Sequence, residues 1–120
     1  MRILHVFDHS IPLHSGYTFR SFQILSEQRK LGLETIHVTG IKHIAPFVEK
    51  ETVDGLEFHR TYSSEGILSK LPIINQWYVV KTLEKRIEEI VKREKIDIIH
   101  AHSPVLNGLA ALRVGKKYNI

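Results

Sequence analysis

Short β-branched runs alternate along this chain with longer amphipathic stretches. Residues 2–7 (RILHVF) form a brief apolar run of strand formers that ends at Asp8. A polar stretch over 8–15, interrupted by Pro12, leads into a segment where Phe19, Phe22, Ile24, Leu25 and Leu31 recur at helical spacing. That spacing predicts a helix over about 16–31, with Gly32 as its stop. Residues 34–39 (ETIHVT) predict a second strand, and 40–52 read as an irregular connection. Asp54-Gly55 is a tight-turn signal, so 56–60 is expected to be a strand entered from a turn. A long polar loop over 61–72 follows. The stripe Ile73, Ile74, Trp77, Val80, Leu83, Ile87, Ile90 and Val91 predicts an amphipathic helix over 73–95. Glu88/Lys92 and Glu89/Arg93 stand at i,i+4 on its wet face. Residues 96–101 (IDIIHA) predict another strand and 104–117 another helix.

Strands alternating with helices imply βαβ units, hence an α/β fold with a doubly wound, mostly parallel sheet and helices on both faces. The 120 residues suit one domain with one real core, without repeats or internal boundaries. The polar run 115–119 falls where a further strand is expected to begin, so the chain reads as a fragment of a larger doubly wound unit.

Composition narrows the chemistry. No apolar run approaches the ~20 residues of a membrane helix. With no cysteine there is no disulfide, thiolate zinc site, iron–sulfur cluster or thiol nucleophile. Seventeen basic against thirteen acidic residues give a net charge of +4. That excess suits an anionic ligand or membrane surface and is too weak to imply nucleic acid. Eight histidines are the compositional oddity.

In open parallel sheets, ligands bind beyond the carboxyl ends of the strands where the strand order reverses. If the first strand is central, with the second on one side and the 96–101 strand on the other, two loops meet there. One carries Asp8, His9, Ser10, His14, Ser15 and Gly16; the other carries His102, Ser103 and Asn107. Gly16 opens the first helix. There it either makes a turn, with Ser15 as the cap, or lets backbone N–H groups and the helix dipole approach an anion. No dinucleotide fingerprint or P-loop is present. His100 and His102 share one strand face. His100 is expected to be a satisfied, partly buried histidine. His102, at the strand exit, is free to ligate, orient or carry a proton. His5, His37 and His59 lie inside strands and read as structural, and Asp8 reads as a turn residue. Arg20 either meets a phosphate or pairs with a surface carboxylate. The cluster Lys81, Lys85, Arg86, Lys92 and Arg93 reads as a solvated helix face.

The segments MRILHVFDHSIPLHSGYTFR, the helix ending in Q-x-x-x-G, VDGLEFHRT and DIIHAHSPVLNGLAAL together resemble the N-terminal domain of GT-B glycosyltransferases. The resemblance is to family 4 (group 1), and within it to the bacterial subgroup of exopolysaccharide and exosortase gene clusters. It implies a Rossmann-like, acceptor-side domain of an enzyme that moves a sugar with retention from a nucleotide-diphosphate donor to a glycan or lipid-linked acceptor. Gly16 and Ser15 then face the donor diphosphate. His102 reaches the transferred sugar as the catalytic residue, while His9, His14, Ser103 and Asn107 line the acceptor side. The resemblance implies no cofactor and no metal, a cytoplasmic location with possible peripheral membrane contact, and a C-terminal donor-binding domain acting in cis. That domain's E-x7-E helix has no counterpart here; Glu49/Glu57 and Glu57/Glu65 have the spacing but span a turn, a strand and a loop. Two other readings remain. One is a metal-dependent hydrolase using His100, His102, His9 and Asp8. The other is a non-catalytic flavodoxin-like interaction domain.

Overall fold

Strand formers dominate residues 2–7, and in the computed structural model they become β1 (Arg2–Phe7), buried from Ile3 onward. The structure describes residues 1–43, 48–62, 72–103 and 105–120, with the backbone alone at 72–74. The remaining elements are α1 (Gly16–Lys30), β2 (Glu34–Thr39), β3 (Lys50–Val53), β4 (Leu56–Arg60), α2 (Pro72–Arg93), β5 (Ile98–Ala101) and α3 (Leu106–Tyr118). The five strands form one mixed sheet in the order β3-β4-β2-β1-β5. Four of them are parallel, and β1 lies between β2 and β5 as expected. Most of the loop expected over 61–72, the side chains of Ile73 and Ile74, and the helix start expected at Pro104 fall outside the described residues.

The exception to parallel pairing is β3, in a stretch expected to be irregular. It pairs antiparallel with β4 through the Asp54-Gly55 turn, where both residues take positive φ (51° and 79°). That mirror-image turn matches strand twist, so it enforces a hairpin even though Lys50-Glu51-Thr52-Val53 carries no apolar run. Edge strands need not be apolar, which is why periodicity missed it.

The period of two along β1 and β2 divides the core. Leu4, Val6 and Val38 pack with Val80, Leu83, Ile87 and Ile90 of α2 and with Ala110 and Val114 of α3. On the other face, Phe7, Leu56 and Phe58 pack with Leu25 of α1 and with Ile11. Helices therefore cover both faces, and no described helix is long and apolar enough to cross a membrane.

Several helical expectations shift. Of the α1 stripe only Leu25 is fully buried, while Phe19 and Leu31 are exposed. Trp77 is 51% exposed. The Arg113 guanidinium and the Lys81 ammonium lie over its ring at 4.9 and 5.0 Å. Arg86 is buried rather than solvated, donating to the Glu49 carbonyl (2.9 Å) and to Glu89 (3.0 Å). Glu88 does more than pair with Lys92, because it accepts from Lys117 (2.6 Å) and from the Tyr118 hydroxyl (2.7 Å). These bonds, across the α2–α3 contact, hold its pKa down at about 2.

His37 is structural, as expected. Its Nδ1–H donates to the Glu57 carbonyl (2.8 Å), and its Nε2 accepts from the Thr35 hydroxyl (2.8 Å), which in turn accepts from Arg29 Nε (3.0 Å). Burial drives its pKa from the ordinary 6.5 down to about 3. Unfolded, this imidazole takes a proton near pH 6.5; folded, it does not until about 3. Between those values the unfolded chain binds more proton, so acidification lowers stability by about 1.4 kcal/mol per pH unit from this residue alone. Urea melts taken at steps from pH 7 to 4 should show His37→Gln with a shallower pH slope by roughly that amount. Parallel slopes for the two proteins would refute the assignment.

Candidate functional site

The parallel pairing of β1 with β5 continues one residue past β5, where the His102 N–H donates to the Val6 carbonyl (3.0 Å). The two strands therefore end side by side, and the chain segments that begin at Asp8 and His102 leave from the same edge. Side chains lock them together. Ser103 Oγ donates to Asp8 Oδ2 at 2.7 Å, and the Tyr17 hydroxyl accepts from the Asp8 N–H (3.1 Å) while lying 3.4 Å from Ser103 Oγ. Asp8 is thus a cross-loop acceptor and not merely a turn residue.

The remaining expected residues divide between the crevice and its surroundings. His9 is half-buried, its Nε2 3.1 Å from Ser15 Oγ and its ring beside Tyr17. His14 is exposed, with its ring near Phe19. Ser15 caps α1 through a reciprocal pair: its Oγ accepts from the Thr18 N–H, and Thr18 Oγ1 accepts from the Ser15 N–H. Gly16 begins α1 with no positive φ, and a Cβ added there would meet open space. Neither a positive φ nor close packing requires glycine at this position, while the Ser15 cap is formed as expected. Asn107, near the start of α3, is only 1% exposed, and neither its side-chain oxygen nor its nitrogen has a partner. Arg20 is exposed on α1, and its charge is among the influences that lower the pKa of His102.

His102 itself belongs to a cluster. The strand register places His5 opposite both His37 and His100, giving a row of three imidazoles across the α1 face of the sheet. His5 is fully buried. Its Nε2–H donates to Gln28 Oε1 of α1 (2.7 Å), so its Nδ1 accepts from His102 Nε2 (2.8 Å). The rings of His100 and His102 stack at 4.0 Å, and His102 lies 4.3 Å from the Phe7 ring. Burial, aided by the charges of neighbouring histidines, moves His5 to about 4 and His102 to about 3. Both rings are neutral at physiological pH, which favours hydrogen bonding or ligation over proton carriage.

The expectation for His100 is corrected: it is exposed, because β5 is an edge strand of the described sheet. The ligand set suggested for a metal is corrected too. His5, not His9 or Asp8, joins His100 and His102, and the ligand atoms of those three lie within 4.8 Å of one another.

Sequence reasoning noted Gln28 only as the glutamine of the Q-x-x-x-G helix end, did not single out Tyr17 or Arg60, and assigned His5 only a structural part. Arg60 of β4 is buried and donates to Ser10 Oγ (2.6 Å), the Ile11 carbonyl (3.0 Å) and Glu51 (2.8 Å), pinning the loop after β1. The recurrence of histidine in both β1 and β5 was a readable signal, but pairing them required the register. No protein-family model, curated protein or solved structure matches the chain.

The capping geometry separates Ser15 from its neighbour. Thermal melts should place Ser15→Ala about 1 kcal/mol below the parent, the usual cost of a lost N-cap. Gly16→Ala should be neutral or gain up to about 1 kcal/mol, since alanine fits there and narrows the unfolded ensemble. A marked loss for Gly16→Ala would mean that packing, not an approaching ligand, requires the glycine.

Proposed function

We propose that this chain is the Rossmann-like, acceptor-side half of a retaining GT-B glycosyltransferase of family 4. In this reading it transfers a sugar from a nucleotide-diphosphate donor to a glycan or lipid-linked acceptor in polysaccharide assembly. The observation that carries the reading is the union of the two loops at the ends of β1 and β5, with Gly16 left open at the start of α1. Capping uses the Thr18 N–H, so the amides of Gly16 and Tyr17 stand at the open helix start, where the dipole favours the donor diphosphate. Arg20 adds an exposed positive charge on the same helix.

His102 has its Nε2 turned to His5, which leaves Nδ1 as the nitrogen that meets the transferred sugar. With a pKa near 3 it serves there as a neutral hydrogen-bonding group and not as a general acid. His9, His14, Ser103 and the unsatisfied Asn107 supply polar contacts for the acceptor. The leaving diphosphate requires charge stabilisation more than a strong base, so this sparse inventory suffices once a donor-binding domain supplies the facing half. The basic balance suits an anionic or lipid-linked acceptor at the cytoplasmic membrane face.

The test is an assay of the protein joined to its donor-binding domain, against a panel of nucleotide-diphosphate sugars. Transfer or slow donor hydrolysis is expected, and His102→Ala should lower kcat by about 10²-fold, the scale of one lost transition-state contact. The 120-residue chain alone should turn over none of these donors. Near-parental activity in His102→Ala would overturn the role given to this residue, and turnover by the isolated chain would overturn the division of labour.

A further inference from the structure

We propose that His5, His100 and His102 form a binding site for one zinc-type divalent ion at the β1–β5 junction. The proposal rests on side-chain geometry; it shares His102 with the transferase reading, but metal titration and the transfer assay test the two separately. A strand carrying His-x-His presents two imidazoles on one face, and a parallel neighbour with histidine in register with His100 adds a third, its ring 5.2 and 5.1 Å from those of His100 and His102. The three ligand atoms already lie within 4.8 Å of one another, and the closest pair, His5 Nδ1 and His102 Nε2, is 2.8 Å apart. Zinc–nitrogen bonds of about 2.0–2.1 Å at tetrahedral angles set ligand nitrogens roughly 3.3 Å apart. The pair therefore has only to open slightly, and His100, on an exposed edge strand, has room to close in.

The surroundings resemble those of ligating histidines. His5 donates its far Nε2–H to Gln28 Oε1, which fixes the ring and leaves the Nδ1 lone pair facing the cluster, as outer-shell carbonyls do in metal sites. Phe7 forms an apolar floor beside His102. The cluster contains no carboxylate, so its chemistry suits a borderline ion such as Zn²⁺ and not Mg²⁺ or Ca²⁺. Three nitrogens leave a fourth position, on the side where His100 is exposed. Binding removes no proton on balance: His102 shifts its hydrogen from Nε2 to Nδ1, and the hydrogen bond to His5 is replaced by two metal–nitrogen bonds.

The experiment is a titration of the purified, metal-free chain with Zn²⁺ by calorimetry and with Co²⁺ by visible absorption. Co²⁺ reports coordination directly, because the chain has no thiolate to contribute charge-transfer bands. One equivalent is expected, with tetrahedral Co²⁺ bands that Zn²⁺ displaces. His100→Ala, which alters an exposed side chain, should weaken binding by about 100-fold, and Gln28→Ala by about 10-fold through the outer shell. His14→Ala should leave binding unchanged. Circular dichroism confirms that each variant is folded. Absence of saturable binding overturns the proposal, as does binding that His100→Ala and His102→Ala leave intact; the three rings would then be a hydrogen-bonded stack only.

Discussion

Parallel hydrogen bonding of β1 on both edges is the constraint from which the rest of this structure follows. Flanked by β2 and β5, β1 has no solvent-facing edge, and every residue from Ile3 to Phe7 is buried. Its side chains must alternate between two covered faces, so Leu4 and Val6 enter one core and Phe7 enters the other. The same pairing brings the exits of β1 and β5 together, and the Ser103–Asp8 hydrogen bond closes the join.

The two faces do different work. Beneath α2 and α3 the core is aliphatic, with Leu83, Ile87 and Val114 fully or almost fully buried, and it supplies the apolar burial that stabilises the sheet. Beneath α1 the sheet carries His5, His37, Thr35 and Thr39 beside Phe7 and Phe58. Polar groups in such a place cost stability unless each is satisfied. His5 finds Gln28 and His102; His37 finds Glu57 and Thr35; Arg60 finds Ser10, Ile11 and Glu51. A directional network of this kind fixes ring orientations and tautomers, which an apolar core cannot do. Chemistry gathers on the α1 face for that reason.

Against this background the unsatisfied groups stand out. Asn107 is buried with neither side-chain atom bonded, and Gly16 leaves open the space a Cβ would fill. Gly16 follows the loop that leaves β1, and Asn107 lies near the start of α3, after the segment that leaves β5.

Much of this was legible in the sequence. The runs RILHVF and ETIHVT set β1 and β2 to the residue, Asp54-Gly55 set the turn that precedes β4, and the periodicity of Val80, Leu83, Ile87 and Ile90 set the buried face of α2. Local periodicity and turn chemistry carry such features because they depend on neighbours a few residues apart. The central place of β1 and the meeting of the segments that begin at Asp8 and His102 also followed, from the general geometry of parallel sheets. What the sequence could not show depended on distant partners. Polar β3 exists because β4 lies beside it, and buried Arg86 donates to the carbonyl of Glu49, far away in the chain. His5 became part of a site, and not merely part of a core, only when the register set it against His100 and His102. Periodicity states which face a histidine occupies; only tertiary pairing across 95 residues of chain decides which other histidines share it.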